Sequence, residues 1–208
     1  MKIAISFLKS KYTTLETIKK IEETNAEYIH VDIMDGKFVP SKTEDFIDLL
    51  KKVKKPLDVH LMVDNPIDYI IKYKDLKPKY ITIHSEINYN LKDLIDLIKS
   101  YNIKVGISIK PNTKLESIEN ILNKVDNILI MSVEPGLGGQ KFLDSIIYKI
   151  DILKKLRKEK KYNYVISIDG GINEETITKV KDVDFVISGS FICMSDNYQE
   201  QINKLRKK

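Results

Sequence analysis

Tyr80-Ile81-Thr82-Ile83-His84, then Leu91-Lys92-Asp93-Leu94-Ile95-Asp96-Leu97-Ile98-Lys99-Ser100-Tyr101, then Lys104-Val105-Gly106-Ile107-Ser108-Ile109, reads as a strand, an amphipathic helix and a second strand. A short, nearly continuous apolar run such as Tyr80–Ile83 suits a strand covered on both faces, the environment of a parallel sheet. Outward from this unit the alternation continues in both directions. Strands are expected near Lys2–Phe7, Glu27–Ile33, Leu57–Met62, Tyr80–His84, Lys104–Ile109, Ile128–Met131, Tyr164–Ile168 and Phe185–Ser188. Helices are expected over Thr13–Glu23, Glu44–Lys52, Pro66–Tyr73, Leu91–Tyr101, Lys114–Leu122, Leu143–Lys158, Glu174–Val180 and Asn197–Leu205. About eight βα repeats with no Pro/Gly/Ser-rich linker between them predict one (β/α)8 barrel domain, a TIM barrel of parallel strands spanning 1–208. An open doubly wound sheet is the competitor, but Ser6-Phe7-Leu8-Lys9-Ser10 after the first strand has none of the glycines of a dinucleotide-binding turn.

Composition narrows the function classes. The formal charge of +5 comes from lysines interspersed with acids along the whole chain, which reads as a solvated surface and argues against a nucleic-acid partner. Only Arg157 and Arg206 supply forked donors, so any phosphate must be held largely by backbone amides. The single Cys193 excludes an internal disulfide and is expected to be a small buried hydrophobe. The opening apolar run is too short for a signal sequence and no stretch has the length of a membrane span, so no membrane partner and a cytoplasmic location are the expectations.

In a barrel, chemistry sits at the C-terminal ends of the strands. His30 and Asp32 are two residues apart, so they share one side of a strand, and Met34 continues that side. The third strand closes with Asp58-Val59-His60-Leu61-Met62 and the seventh with Ile166-Ser167-Ile168-Asp169, which adds His60 and Asp169 at the same barrel face. Two imidazoles and two carboxylates suit a divalent ion such as zinc, iron or manganese. A plain His-Asp hydrogen bond with two unrelated polar strand ends would use the same residues, and spacing alone leaves both readings open. Glycines follow three successive strands, in Glu134-Pro135-Gly136-Leu137-Gly138-Gly139-Gln140, Asp169-Gly170-Gly171 and Ser188-Gly189-Ser190. Their recurrence at one face favours a phosphate cradle beside a short helix N-terminus over plain turn chemistry.

The segments Tyr28-Ile29-His30-Val31-Asp32-Ile33-Met34-Asp35-Gly36-Lys37-Phe38-Val39-Pro40, Asp58-Val59-His60-Leu61-Met62, Met131-Ser132-Val133-Glu134-Pro135-Gly136-Leu137-Gly138-Gly139-Gln140-Lys141-Phe142 and Asp169-Gly170-Gly171 closely resemble ribulose-phosphate 3-epimerase, in order and over essentially the whole chain. The resemblance implies a (β/α)8 barrel and one divalent metal (Zn, Fe, Mn or Co) on His30, Asp32, His60 and Asp169. It implies catalysis by Asp32 and Asp169, inverting C3 of ribulose 5-phosphate to give xylulose 5-phosphate in pentose phosphate metabolism. Contacts to the sugar phosphate are implied for Ser6, His60, Met34, Met62 and Met131, and for Gly136, Leu137, Gly138, Gly139, Gly170, Gly171, Gly189 and Ser190. The segment Pro135–Phe142 is expected to close over the ligand, and a homo-oligomer is expected.

His84 reads as a supporting residue behind the ligands, and Asp35 and Lys37 as turn and surface residues. The first strand departs from the family pattern: Ile5 stands where a proline is usual and Lys9-Ser10-Lys11 replaces a small and acidic stretch, while Ser41 replaces an asparagine. These changes are expected near the sugar end of the substrate. They leave two alternatives, an epimerase for a longer ketose phosphate such as allulose 6-phosphate, and a barrel that binds a sugar phosphate without turning it over. Decarboxylases of related barrels carry an Asp-x-Lys-x-x-Asp array, whereas here the residue two after Asp32 is Met34.

Overall fold

The computed structural model describes residues 1–208. Its eight strands are β1 (Lys2–Ser6), β2 (Tyr28–Met34), β3 (Leu57–Met62), β4 (Tyr80–His84), β5 (Lys104–Ile109), β6 (Asn127–Met131), β7 (Val165–Asp169) and β8 (Phe185–Ser188). They pair in sequence order, all parallel, and β8 closes back onto β1. The helices are α1 (Thr14–Glu22), α2 (Ile47–Leu50), α3 (Pro66–Tyr73), α4 (Leu91–Ser100), α5 (Ile147–Glu159), α6 (Ser190–Cys193) and α7 (Tyr198–Arg206). None is long and apolar enough to cross a membrane.

Local chemistry sets several helix starts. Thr13 and Glu16 form a capping box at α1, Pro66 takes the first turn of α3, and the Asn90 side chain accepts the Lys92 amide at α4. Three expected helices differ. The second shrinks to α2 (Ile47–Leu50), as Thr43, tied to Met34 through both its amide and its hydroxyl, holds the chain against the end of β2 just before Glu44. The fifth unit carries a 3₁₀ helix over Leu115–Ile121, whose buried Leu115, Ile118 and Ile121 recur every third residue, the period of that helix. The seventh unit has only a 3₁₀ turn over Thr176–Lys179.

Alternation along the strands divides the apolar residues into two sets. Ile29, Val31, Ile33, Val59, Ile81 and Ile83 face the helix ring and belong to the main core. Ala4, Tyr28, Tyr80, Leu129, Met131, Phe185 and Ile187 form a separate interior cluster. Tyr28, Tyr80 and Phe185 open their strands, and their rings meet at 5.5–6.1 Å and plug the N-terminal end of the barrel. The other end is left to polar side chains. Register brings Asp32 level with His60, His30 level with Asp58, and Met34 level with Met62 across β2 and β3, and Met131 level with Asp169 across β6 and β7.

Candidate active site

His30, Asp32, His60 and Asp169 converge at the C-terminal mouth, with one ligand-type atom from each lying within 4.8 Å of all the others. His30 Nε2 stands 3.4 Å from Asp32 Oδ1 and 3.9 Å from Asp169 Oδ2, and His60 Nδ1 stands 3.6 and 4.0 Å from the same two oxygens. Both imidazoles are fully buried, while Asp169 keeps 16% of its side-chain surface open to the mouth.

Each ring is oriented from behind. His30 Nδ1 is 2.7 Å from Asp58 Oδ2, so this nitrogen carries the proton and Nε2 presents its lone pair to the cluster. For His60 the chain is longer. His84 Nδ1 donates to Glu86 Oε2 at 3.0 Å, which leaves His84 Nε2 as the acceptor for His60 Nε2–H at 2.9 Å. Glu86 in turn accepts from the Lys110 amide and the Thr113 hydroxyl. Burial would raise the Glu86 carboxyl, but His84 and these donors outweigh it and hold it down to about 2, so it acts as the ionised anchor. His60 Nδ1 is thereby left as a lone pair facing two carboxylates.

His30 Nε2 and His60 Nδ1 are buried and have no hydrogen-bond partner. Two lone pairs facing two carboxylates repel one another unless a cation lies between them, and an unpaired buried polar atom costs about 1–3 kcal/mol. Metal bonds of about 2.0–2.2 Å would set tetrahedral ligands about 3.3–3.6 Å apart, close to the separations found here. The residues therefore fit a divalent ion. The charge balance points the same way: burial alone would lower the His30 pKa, yet Asp32 and Asp58 raise it well above the usual histidine value.

The two aspartates are poised in opposite senses. Burial pushes Asp32 upward, but His30 and His60 outweigh it and hold the carboxyl well below its ordinary range. For Asp169 burial dominates, and repulsion from Asp32 adds to it, so its pKa rises to about 6 against the pull of the histidines. Ser6, expected to touch substrate, donates to Asp32 Oδ2 at 2.6 Å and so turns Oδ1 toward the imidazoles.

Above the cluster lies a cavity lined by Ser6, Asp32, Met34, Met62, Met131, Gly136, Leu137, Gly138, Gly139, Asp169, Gly170, Gly171, Gly189 and Ser190. His60 does not reach this lining; it supports the cavity floor from beneath. The three methionines are buried walls, and Leu137, 67% exposed, sits on the crest of the loop that Gln140 fastens by donating to Glu134 O and Leu137 O. The helix expected beside the glycines is α6, which starts at Ser190. Asp35 is a loop staple, accepting the Lys37, Phe38 and Asp64 amides. Cys193 is buried, and burial pushes its thiol up to about 12.

The sequence reading missed Asp58, Glu86 and Lys9. The first shares strand parity with His60, and Glu86 follows His84 by two residues; those spacings were the available signals. Lys9, one of the first-strand departures, lines the cavity against the glycine loop.

Comparison with known proteins agrees with this geometry. The family model described as the Ribulose-phosphate 3 epimerase family matches residues 2–193. A ribulose-phosphate 3-epimerase of Helicobacter pylori is 38% identical over 99% of this chain and 97% of its own, and one of Bacillus subtilis is 34% identical over 99% and 98%. Among solved structures, 3-hexulose-6-phosphate synthase from Salmonella typhimurium superposes with a TM-score of 0.70 at 16% identity, covering 100% of this chain and 97% of the other, which speaks for the shared barrel alone. With matching segments along nearly its full length and the His-Asp cluster assembled at the barrel mouth, the chain belongs to the ribulose-phosphate 3-epimerase family.

Proposed function

We propose that the protein interconverts ribulose 5-phosphate and xylulose 5-phosphate by passing the C3 proton between Asp32 and Asp169. The observation that carries this reading is the pair itself: two carboxylates that line one cavity and stand beside the same two imidazoles. Asp32 is suited to take the proton from one face of C3. Asp169, protonated, is suited to return one to the other face, and the roles exchange in the reverse direction. Ser6 holds Asp32 in place through its 2.6 Å hydrogen bond. Met34, Met62 and Met131 line the cavity around the aspartates with thioethers that exclude water from the intermediate. His30, Asp32, His60 and Asp169 would hold the divalent ion. When bound, that ion supplies Lewis-acid stabilisation of the negative charge that develops on the ketose oxygens. The donor set suits zinc, iron, manganese or cobalt alike.

The relatives' names favour a five-carbon substrate over allulose 6-phosphate. The test is turnover of both ketose phosphates by metal-restored protein in deuterated water, following deuterium at C3. Ribulose 5-phosphate is expected to be the better substrate. Asp32→Asn and Asp169→Asn are each expected to lose at least about a hundredfold in turnover while keeping the wild-type circular dichroism. Absence of exchange under every metal would return the reading to a sugar-phosphate-binding barrel.

A further inference from the structure

Lys9 follows β1 by three residues and is the only lysine or arginine lining the cavity, which three carboxylates, Asp32, Glu134 and Asp169, also line. Its aliphatic stem crosses Gly138, where a Cβ would sit 2.9 Å from Lys9 Cβ. Its ammonium comes within 2.6 Å of the place a Cβ on Gly139 would occupy. Gly139 has φ +81, so the absence of a side chain there serves both the turn and the approach of the lysine. Lys9 is exposed at the mouth, and its ammonium forms no ion pair and no hydrogen bond with the protein.

The same corner holds a second set of unused donors. The backbone amides of Gly138, Gly139, Gly170 and Gly171 donate to no group of the protein. Free amides from two loops and an unpaired ammonium that line one cavity make a site for a compact anion with several acceptor oxygens. Amides alone bring no net charge. Beside a divalent ion already shared by Asp32 and Asp169, Lys9 is the one lysine or arginine of the lining that can add positive charge next to a phosphate dianion.

We infer that Lys9 is the cationic arm of the phosphate-binding corner, pairing with the phosphate of the bound ketose while the glycine amides receive its remaining oxygens. The inference rests on the proposed sugar-phosphate reading for its substrate, and it makes Lys9 a residue that sets affinity for the phosphorylated end.

The experiment titrates metal-restored protein with inorganic phosphate by calorimetry, comparing wild type with Lys9→Met and Lys9→Arg, and measures KM and kcat for ribulose 5-phosphate in parallel. Lys9→Met is expected to weaken phosphate about tenfold, as loss of one charge-assisted contact should, and to raise KM by a similar factor with a smaller change in kcat. Lys9→Arg should retain most of the affinity. Wild-type affinity in Lys9→Met, no phosphate binding by wild type, or equal weakening in both variants would each overturn the assignment. If phosphate affinity depends on Lys9 while ribulose 5-phosphate is not turned over, the anion site stands and the epimerase reading is the one that fails.

Discussion

His60 Nε2 lies 2.9 Å from His84 Nε2, and this one contact decides which nitrogen of His60 faces the aspartates. The proton on His60 Nε2 is held there because His84 is itself committed to Glu86 through Nδ1. Replacing His84 by Phe keeps a planar ring beside Phe38, whose ring centroid lies 4.7 Å away, but removes the acceptor. The expected result is a zinc affinity about 10–100-fold weaker, read by competition with a chromophoric chelator. An unchanged affinity would show that His60 needs no orienting partner.

The same ring gives the metal-free protein a pH signature. Burial lowers the His84 pKa from 6.5 to about 4, against the pull of Glu86. Between those values the unfolded chain binds a proton that the folded protein refuses, so stability is present above pH 6.5 and is lost as pH falls toward 4. Asp169 titrates in the opposite sense nearby, so the comparison must be with a variant that keeps it. The stability advantage of wild type over His84→Gln is expected to shrink by on the order of 3 kcal/mol between pH 7 and pH 4. Urea midpoints at the two pH values measure it, and a constant gap would rule it out.

Lys149 carries a charge into the core and makes it useful. It is fully buried, and its ammonium donates to the carbonyls of Lys110, Pro111 and Thr113 at 3.0, 2.7 and 2.7 Å. These residues form the loop whose Lys110 amide and Thr113 hydroxyl hold Glu86. Lys149→Met preserves the stem and strands three acceptors, so a loss of about 2–4 kcal/mol is expected, visible as a lower urea midpoint by circular dichroism. Chelator competition should also show weaker metal binding, since the anchor of the His84 chain loosens.

What could be read in the chain followed from how local its cause was. The strands Leu57–Met62, Tyr80–His84, Lys104–Ile109 and Phe185–Ser188 end where expected, because burial on both faces demands apolar runs that stop where the loops begin. His30 and Asp32 were legible as a pair through the two-residue period, and His60 and Asp169 through their places at strand ends. Asp58 was not, since its partnership with His30 depends on the β2–β3 register. Nor was Lys9, whose position depends on how two loops far apart in the sequence, after β1 and after β6, meet. The shortfall at Glu44–Lys52 has a similar origin: a helical pattern there yields to the hydrogen bonds by which Thr43 is tied to Met34.

Gly171 is the position where backbone freedom and cavity shape depend most directly on each other. It has φ +62, and a Cβ there would lie 2.5 Å from the Phe142 backbone nitrogen and 2.9 Å from its Cα. These are backbone atoms that no rotamer change can move, and Thr176 holds the Gly171 carbonyl at 2.8 Å, so the turn cannot swing away freely. Gly171→Ala must therefore displace the end of the loop over residues 135–142, which borders the phosphate corner. The expected outcome is a stability loss of about 1–3 kcal/mol together with weaker inorganic phosphate binding. Gly36→Ala is the control, because Gly36 also has positive φ, +77, but its Cβ would meet nothing nearer than 3.7 Å. It should cost about 1 kcal/mol and leave phosphate affinity intact. Equal effects of the two substitutions on phosphate binding would mean that conformational strain, and not the closeness of Gly171 to Phe142, governs the corner.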